Sequence, residues 1–112
     1  METTQSIFVK ALEHDKYTEA TQLYLARWQK LKRSGADDEK IYKGLLNGAA
    51  AVDLILKGKY KAAKKVWKVY EKYRPFINEN AQHYPALKKA DDILIGLKRK
   101  YKKVFDTQKY KD

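Results

Sequence analysis

The segment EKIYKGLLNGAAAVDLILK, residues 39–57, determines the fold that we predict for this chain. Its apolar residues leave almost no polar face on a helix, which is typical of an element at the centre of a helical protein. Gly44 and Gly48 lie four residues apart, on one side of that helix. Because glycine costs up to about 1 kcal/mol in a helix interior, this pair indicates that other helices approach closely there.

The chain before this segment predicts two helices. The first covers residues 4–13, and the second covers residues 17–33 and ends at Ser34 and Gly35. Apolar residues three or four positions apart predict the buried face of each helix. On the first helix we expect that face to contain Ile7, Phe8, Ala11 and Leu12.

The chain after this segment predicts a fourth helix over residues 60–73, which Pro75 ends, and a fifth that starts near Pro85. The apolar residues of the fifth helix alternate by three and four as far as Val104, which predicts a seam against neighbouring helices and leaves a dimeric coiled coil as the alternative. The seam consists of Leu87, Ala90, Leu94, Leu97, Tyr101 and Val104.

An internal similarity predicts how the first four helices are paired. Residues 12–24 align with residues 55–67, and in both stretches a short turn is followed by Tyr-x-x-Ala, at Tyr17 and at Tyr60. Such a pattern indicates two helical hairpins packed together. We therefore predict an all-α fold: a single compact bundle of about five helices over residues 1–106, with a frayed tail at 107–112.

Part of the sequence resembles a known family. The stretch from Tyr17 to Trp28, the central Gly44-Leu-Leu with Ala49-Ala50, and Gly58-Lys-Tyr60 resemble the small helical family called domain of unknown function 309. The resemblance covers roughly Phe8 to Phe76 and implies a bundle of about five helices with no established activity. The hairpin at Tyr60 is also similar, more weakly, to a tetratricopeptide unit.

The chain departs from that family where the family carries its polar cluster. The resemblance implies a His-Glu-x-x-Glu-x-x-Trp pattern on the second helix, and Thr21, Gln22, Leu25 and Trp28 occupy those positions here. Asp53 occupies the position of the family's histidine on the central helix. An altered or decayed hydrolase therefore stays an alternative based on the resemblance alone.

Other signs of catalysis are weak in this sequence. There is no cysteine, and the two histidines, His14 and His83, lie in predicted turns. Asp53 lies in an apolar helix, where a carboxylate must be paired or protonated, and we expect it to bond to a neighbouring helix, with Arg27 or Lys43 as candidate partners. We predict a protein that is not an enzyme, with no catalytic residue, metal site or cofactor.

The charge distribution is the feature that points to a partner. Residues 1–56 hold eight basic and eight acidic residues, whereas residues 57–112 hold seventeen and six, so the whole excess of +11 lies in the second half. Lysines at intervals of three, four and one predict a basic stripe along the fourth helix, continued by the end of the fifth helix. The predicted nucleic-acid-binding residues are Lys57, Lys61, Lys64, Lys65, Lys68, Lys72, Arg99 and Lys103.

These patterns predict a binding module that engages a polyanion, with nucleic acid ahead of an acidic protein. Lysine outnumbers arginine in the stripe, which favours phosphate contacts over reading of base edges. Trp28, Trp67 and most tyrosines fall on predicted core faces, so stacking of bases is not expected. A protein-interaction or self-associating bundle, including a homodimer, is the alternative. The lack of cysteine, of a signal peptide and of a membrane-spanning apolar run leads us to expect a cytoplasmic protein without a membrane partner.

Overall fold

Six α-helices and one 3₁₀ turn make up residues 2–107, the part of the chain that the computed structural model describes. The helices are α1 (Thr4–Glu13), α2 (Tyr17–Ser34), α3 (Glu39–Leu56), α4 (Tyr60–Tyr73), α5 (Tyr84–Lys100) and α6 (Lys102–Asp106), and the 3₁₀ turn is Arg74–Phe76. The predicted all-α fold is confirmed over this range. The tail predicted to fray lies outside the described residues, except for Thr107.

The helix α3 is central, as its composition predicts. It packs against α2, α4, α5 and the 3₁₀ turn, and more than half of its residues are buried. Its two glycines are the points of closest approach. A Cβ atom at Gly44 would lie 2.9 Å from the Cβ of Tyr73, and one at Gly48 would lie 2.8 Å from a methyl group of Leu94.

The two hairpins repeat each other in backbone geometry as well as in sequence. Asp15 and Gly58 occupy equivalent positions in the turns after α1 and α3, and both have positive φ, 59° and 75°. In each turn the next residue donates its backbone N–H to the carbonyl oxygen five positions earlier. The N···O distance is 2.8 Å for Lys16 and 2.9 Å for Lys59. The predicted pairing of α1 with α2 and of α3 with α4 is therefore confirmed.

Aromatic rings fill the core between the helices. Phe8 stacks on Tyr24 with ring centroids 3.7 Å apart, and Tyr24 meets the ring of Tyr42 edge-on at 4.9 Å. On the other side of α3, Trp67 meets Tyr70 at 4.7 Å. These rings are buried, as predicted for Trp67 and the tyrosines, whereas Trp28 is only half-buried.

The buried face of α1 differs from the prediction. Ile7 is 42% exposed, whereas Gln5 and Val9 are buried with Phe8 and Leu12. Gln5 can be buried because its side-chain N–H donates to the hydroxyl of Tyr42 at 2.6 Å, which supplies the partner that a buried amide requires.

The fifth helix is shorter than the apolar seam predicts. It ends at Lys100, and Tyr101 leaves helical geometry with φ −104° and ψ 29° before α6 begins. This break turns α6 toward α4, where the ring of Phe105 packs 4.9 Å from that of Trp67. None of the helices within residues 2–107 has the length and apolar character needed to span a membrane.

Candidate polyanion-binding surface

The helix α4 carries five lysines on one side. We call them the lysine stripe: Lys61, Lys64, Lys65, Lys68 and Lys72. All are exposed except Lys64, which is half-buried. The opposite side of α4 buries Ala63, Trp67 and Tyr70, so apolar contacts fix the orientation of the helix and direct the stripe outward.

The middle of the lysine stripe adjoins α5 and α6. Lys64, Lys68 and Lys98 line one cleft of about 120 Å³ between α4, α5 and α6, with Trp67 and Phe105 among its other lining residues. The ammonium of Lys64 donates to the carbonyl of Thr107. Residues from three helices thus bring separate lysines to one place, as predicted for the fourth helix and the end of the fifth.

A second cleft extends this basic region. Its volume is about 230 Å³, and it is lined by Lys98, Arg99, Lys102, Phe105 and Asp106. Because Lys98, Phe105 and Asp106 line both clefts, Arg99 and Lys102 belong to a surface continuous with Lys64 and Lys68. Lys98 and Lys102 were not among the predicted binding residues, although the basic run at 98–103 contains them.

Two carboxylates reduce the charge of this region. Glu71 accepts from Lys98 at 3.2 Å, and Asp106 lies 3.9 Å from Lys102. Within residues 2–107 no carboxylate forms an ion pair with Lys65, Lys68 or Arg99. The surface therefore keeps a net positive charge that is not consumed by internal ion pairs.

Five of the predicted residues line neither cleft, and they are Lys57, Lys61, Lys65, Lys72 and Lys103. Lys57 is at the end of α3, with its ammonium 2.9 Å from Asp53. Lys72 is one residue from the end of α4 and contacts the ring of Tyr73 at 5.4 Å. Lys103, on α6, has a partner and lines neither cleft.

The partners of Asp53 differ from the candidates that we named. Its carboxylate binds Lys57 on its own helix and accepts a hydrogen bond of 2.8 Å from Thr18 of α2. The hydrogen bond to a neighbouring helix is as predicted, whereas Arg27 and Lys43 are wrong as partners. They lie against aromatic rings instead, Arg27 at 5.8 Å from the ring of Tyr42.

The buried acid within residues 2–107 is Asp91, which the sequence analysis missed. Its side chain is 7% exposed and accepts from Arg74 at 2.8 and 3.0 Å, and the hydroxyl of Tyr70 donates to it as well. Burial, and next the hydrogen bond to Asp91, raise the pKa of Tyr70 above its usual value. Asp91 lies four residues after Leu87 and three before Leu94, so the helical phase of α5 was the signal for its burial.

The histidines and acids form no recognisable metal centre in this part of the chain. Within residues 2–107 no three His, Asp or Glu side chains come together as metal ligands would. The candidate functional surface consists of the lysine stripe and the two clefts.

Comparisons with known proteins add no assignment. No family model matches this chain, and neither a curated protein nor a solved structure matches it. The resemblance to the domain of unknown function 309 stays a prediction from the sequence.

Proposed function

We propose that this protein is a non-catalytic binding module that engages nucleic acid through phosphate contacts from the lysine stripe and the end of α5. The observation that supports the proposal most is the meeting of Lys64, Lys68 and Lys98 in one cleft that continues to Arg99. A fold does not require such clustering, because like charges repel, whereas a polyanion is attracted to it.

The dimensions of the lysine stripe suit a phosphate backbone. From Lys61 to Lys72 the helix advances by about 16 Å at about 1.5 Å per residue. This length matches about five phosphates of one duplex strand, which are about 3.4 Å apart along the axis. Since lysine presents a point charge on a flexible stem, contacts of this kind bind without regard to sequence.

The non-catalytic part of the proposal rests on the surroundings of the acids. Asp91 is occupied by Arg74 and Tyr70, and Asp53 is occupied by Lys57 and Thr18. Neither carboxylate lines the two basic clefts. The acids that do line them, Glu71 and Asp106, are exposed and pair with Lys98 and Lys102.

The test is a charge reversal at two stripe lysines that form no ion pair within residues 2–107. The variant Lys65→Glu/Lys68→Glu is compared with Lys16→Glu/Lys30→Glu, which makes the same change of net charge on α2 and its N-terminal cap. Lys16 and Lys30 are also exposed and form no ion pair in the described part of the chain. Binding to a blunt DNA duplex of about 20 base pairs is measured by fluorescence anisotropy between about 50 and 200 mM salt.

We expect the stripe variant to lose at least about tenfold in affinity at low salt and the control to change little. Each lost phosphate contact reduces the slope of log affinity against log salt by about 0.9, so the stripe variant should lose about 2 from that slope. Equal losses in both variants would show that net charge alone attracts the duplex. Absence of duplex binding by the parent protein would reject the proposal.

A further inference from the structure

A second basic surface lies where α2, α3, α4 and the 3₁₀ turn meet. Aromatic rings and lysines alternate on it, and we call it the cation–aromatic ladder. Its members are Trp28, Lys32, Lys40, Lys43, Lys72, Tyr73 and Phe76. Four of these residues come from the half of the chain that carries no net charge, so the half-chain imbalance gives no sign of this surface.

One lysine lies between the rings of Trp28 and Tyr73. The ammonium of Lys43 lies 5.6 Å from the ring centre of Trp28 and 5.1 Å from that of Tyr73. Lys32 lies 5.0 Å from the same Trp28 ring. Trp28 also lines an open cleft of about 380 Å³ with Gln29, Lys32 and Arg33, so the indole borders space that a planar ligand can enter.

The other end of the ladder is an exposed phenyl ring. Phe76 is 44% exposed, and its ring centre lies 5.9 Å from that of Tyr73. The ammonium of Lys40 lies 5.1 Å from the Phe76 ring. An aromatic ring thus lies at the surface beside Lys40 of α3.

The ladder contains four lysines and no carboxylate. Its nearest recorded carboxylate, Glu39, accepts a hydrogen bond of 2.6 Å from the indole N–H of Trp28. Within residues 2–107 the four ladder lysines form no ion pair with a carboxylate. Their recorded partners are aromatic rings, and such contacts are weak at exposed sites, so a phosphate group competes with them easily.

The fold holds the rings in place before any ligand arrives. Tyr73 is fixed against α3 because Gly44 has no side chain to keep it away: a Cβ there would lie 2.9 Å from the Cβ of Tyr73. The next residue, Arg74, is bound to the buried Asp91 of α5. Both anchors lie within the three residues before Phe76, so the exposed ring extends from a turn whose first end is fixed.

We propose that the cation–aromatic ladder binds single-stranded nucleic acid, with unpaired bases stacked on its rings and phosphates bound by its lysines. Stacking platforms interleaved with cations are the chemistry by which proteins hold single strands without regard to sequence. A duplex keeps its bases inside the stack and offers no free base face to Phe76. The ladder shares with the proposed function the premise of nucleic-acid binding, but it rests on different residues, apart from Lys72.

The experiment measures binding of labelled oligouridine and oligothymidine of about 12 nucleotides, a length within the usual site size for single strands. Phe76→Ala is the main variant, because the ring is exposed and its loss leaves the core intact. Phe76→Leu keeps an apolar side chain without a π face, and Phe76→Tyr keeps the ring. Leu56→Ala is the matched control, since Leu56 is an apolar residue of similar exposure, 55%, at the end of α3. Circular dichroism confirms that each variant is folded.

We expect Phe76→Ala and Phe76→Leu to bind both oligonucleotides about 5- to 150-fold more weakly, the loss that removal of a base-stacking ring causes. Phe76→Tyr and Leu56→Ala should bind like the parent, and all four variants should bind the duplex like the parent. Equal binding of the oligonucleotides by Phe76→Ala and the parent would overturn the ladder, as would a parent that binds no single strand at about 50 mM salt. If Phe76→Leu binds as the parent does, apolar contact replaces stacking and the proposal also fails.

These outcomes separate the ladder from the lysine stripe. Loss of oligonucleotide binding in Phe76→Ala, together with unchanged duplex binding in Lys65→Glu/Lys68→Glu, would support the ladder and reject the stripe. The reverse pattern would support the stripe alone.

Discussion

Removal of the carboxylate of Asp91 should destabilise this protein more than any other single change to its acids. The variant is Asp91→Ala. Two groups depend on the carboxylate: the guanidinium of Arg74, which donates at 2.8 and 3.0 Å, and the hydroxyl of Tyr70, which also donates to it. They differ in access to water, because the Arg74 side chain is 43% exposed and Tyr70 is fully buried.

This difference determines the expected magnitude. Arg74 can turn its guanidinium to solvent, so the loss of its ion pair costs little more than a surface pair, about 0–1 kcal/mol. The hydroxyl of Tyr70 keeps only a long contact of 3.4 Å to the carbonyl of residue 91, and a buried donor without a good partner costs about 1–3 kcal/mol. Alanine regains about 0.5 kcal/mol of helix propensity. We therefore expect the free energy of unfolding to fall by about 1–3 kcal/mol.

The adjacent residue provides the control. Asp92 pairs with Lys88 in the same helix, and the two side chains are 60% and 48% exposed. Asp92→Ala makes the same change of residue type and helix propensity but breaks only a surface pair, so it should alter stability by no more than about 0.5 kcal/mol. Both variants are measured by urea unfolding followed by circular dichroism.

A double-mutant cycle identifies the group responsible. In a Tyr70→Phe background there is no buried hydroxyl to satisfy, so Asp91→Ala should lose most of its effect there. Equal stability of Asp91→Ala and Asp92→Ala would refute the reasoning, as would an undiminished effect in the Tyr70→Phe background.

Two further predictions concern the glycines and the buried tyrosines. Gly44→Ala should lower the free energy of unfolding by about 1–2 kcal/mol, because its Cβ would meet the Cβ of Tyr73 at 2.9 Å, an atom that no rotamer change can move. Gly96→Ala should raise the free energy of unfolding by up to about 1 kcal/mol, since nothing lies within 4 Å of the added methyl group. Both values are measured by urea unfolding, and changes of the same sign in the two variants would contradict the prediction. Burial raises the pKa values of Tyr24 and Tyr70, so the folded state keeps protons that the unfolded state loses above pH about 10. The contribution of these two groups to stability should therefore be constant below that pH and fall above it. A spectrophotometric titration should then show these two groups ionising only as the protein unfolds; ionisation of all tyrosines near pH 10 with the fold intact would disprove it.

The fold was predictable because most of its determinants are local in sequence. The bounds of the first four helices follow from turn residues such as Gly35 and Pro75, and the central place of α3 follows from its lack of a polar face. The errors arise where a distant partner decides. Gln5 is buried because Tyr42, 37 positions away, accepts its hydrogen bond. The break at Tyr101 leaves no trace in the apolar spacing, which continues unchanged to Val104.

The acids show why composition misleads about burial. Asp53 stands among apolar residues in the sequence, yet it lies at the edge of the core, where its side chain is 19% exposed. Asp91 stands beside another acid and two lysines, yet it faces inward with Leu87 and Leu94. The direction of a side chain on a helix depends on its phase, and neighbours at i±1 do not report it.

The same distinction separates the two candidate surfaces. The lysine stripe lies on one helix, so periodicity alone predicts it. The cation–aromatic ladder takes its rings from α2, α4 and the 3₁₀ turn and most of its lysines from α2 and α3, and only the packing of these elements brings them together. A sum of charge over half the chain hides the ladder, because residues 1–56 hold as many acidic as basic residues.

The stability of the fold and the charge of its surface come from different residues. Most ion pairs within residues 2–107 join two exposed side chains, and such pairs contribute at most about 1 kcal/mol each. The exceptions are Lys57 with Asp53, where the acid is partly exposed, and Arg74 with Asp91, where the acid is buried. The core is held by rings and aliphatic side chains. Most of the excess positive charge is therefore unnecessary for folding and opposes it through self-repulsion. Because this self-repulsion lowers the stability of the folded chain, a negatively charged partner is the natural source of the compensating charge.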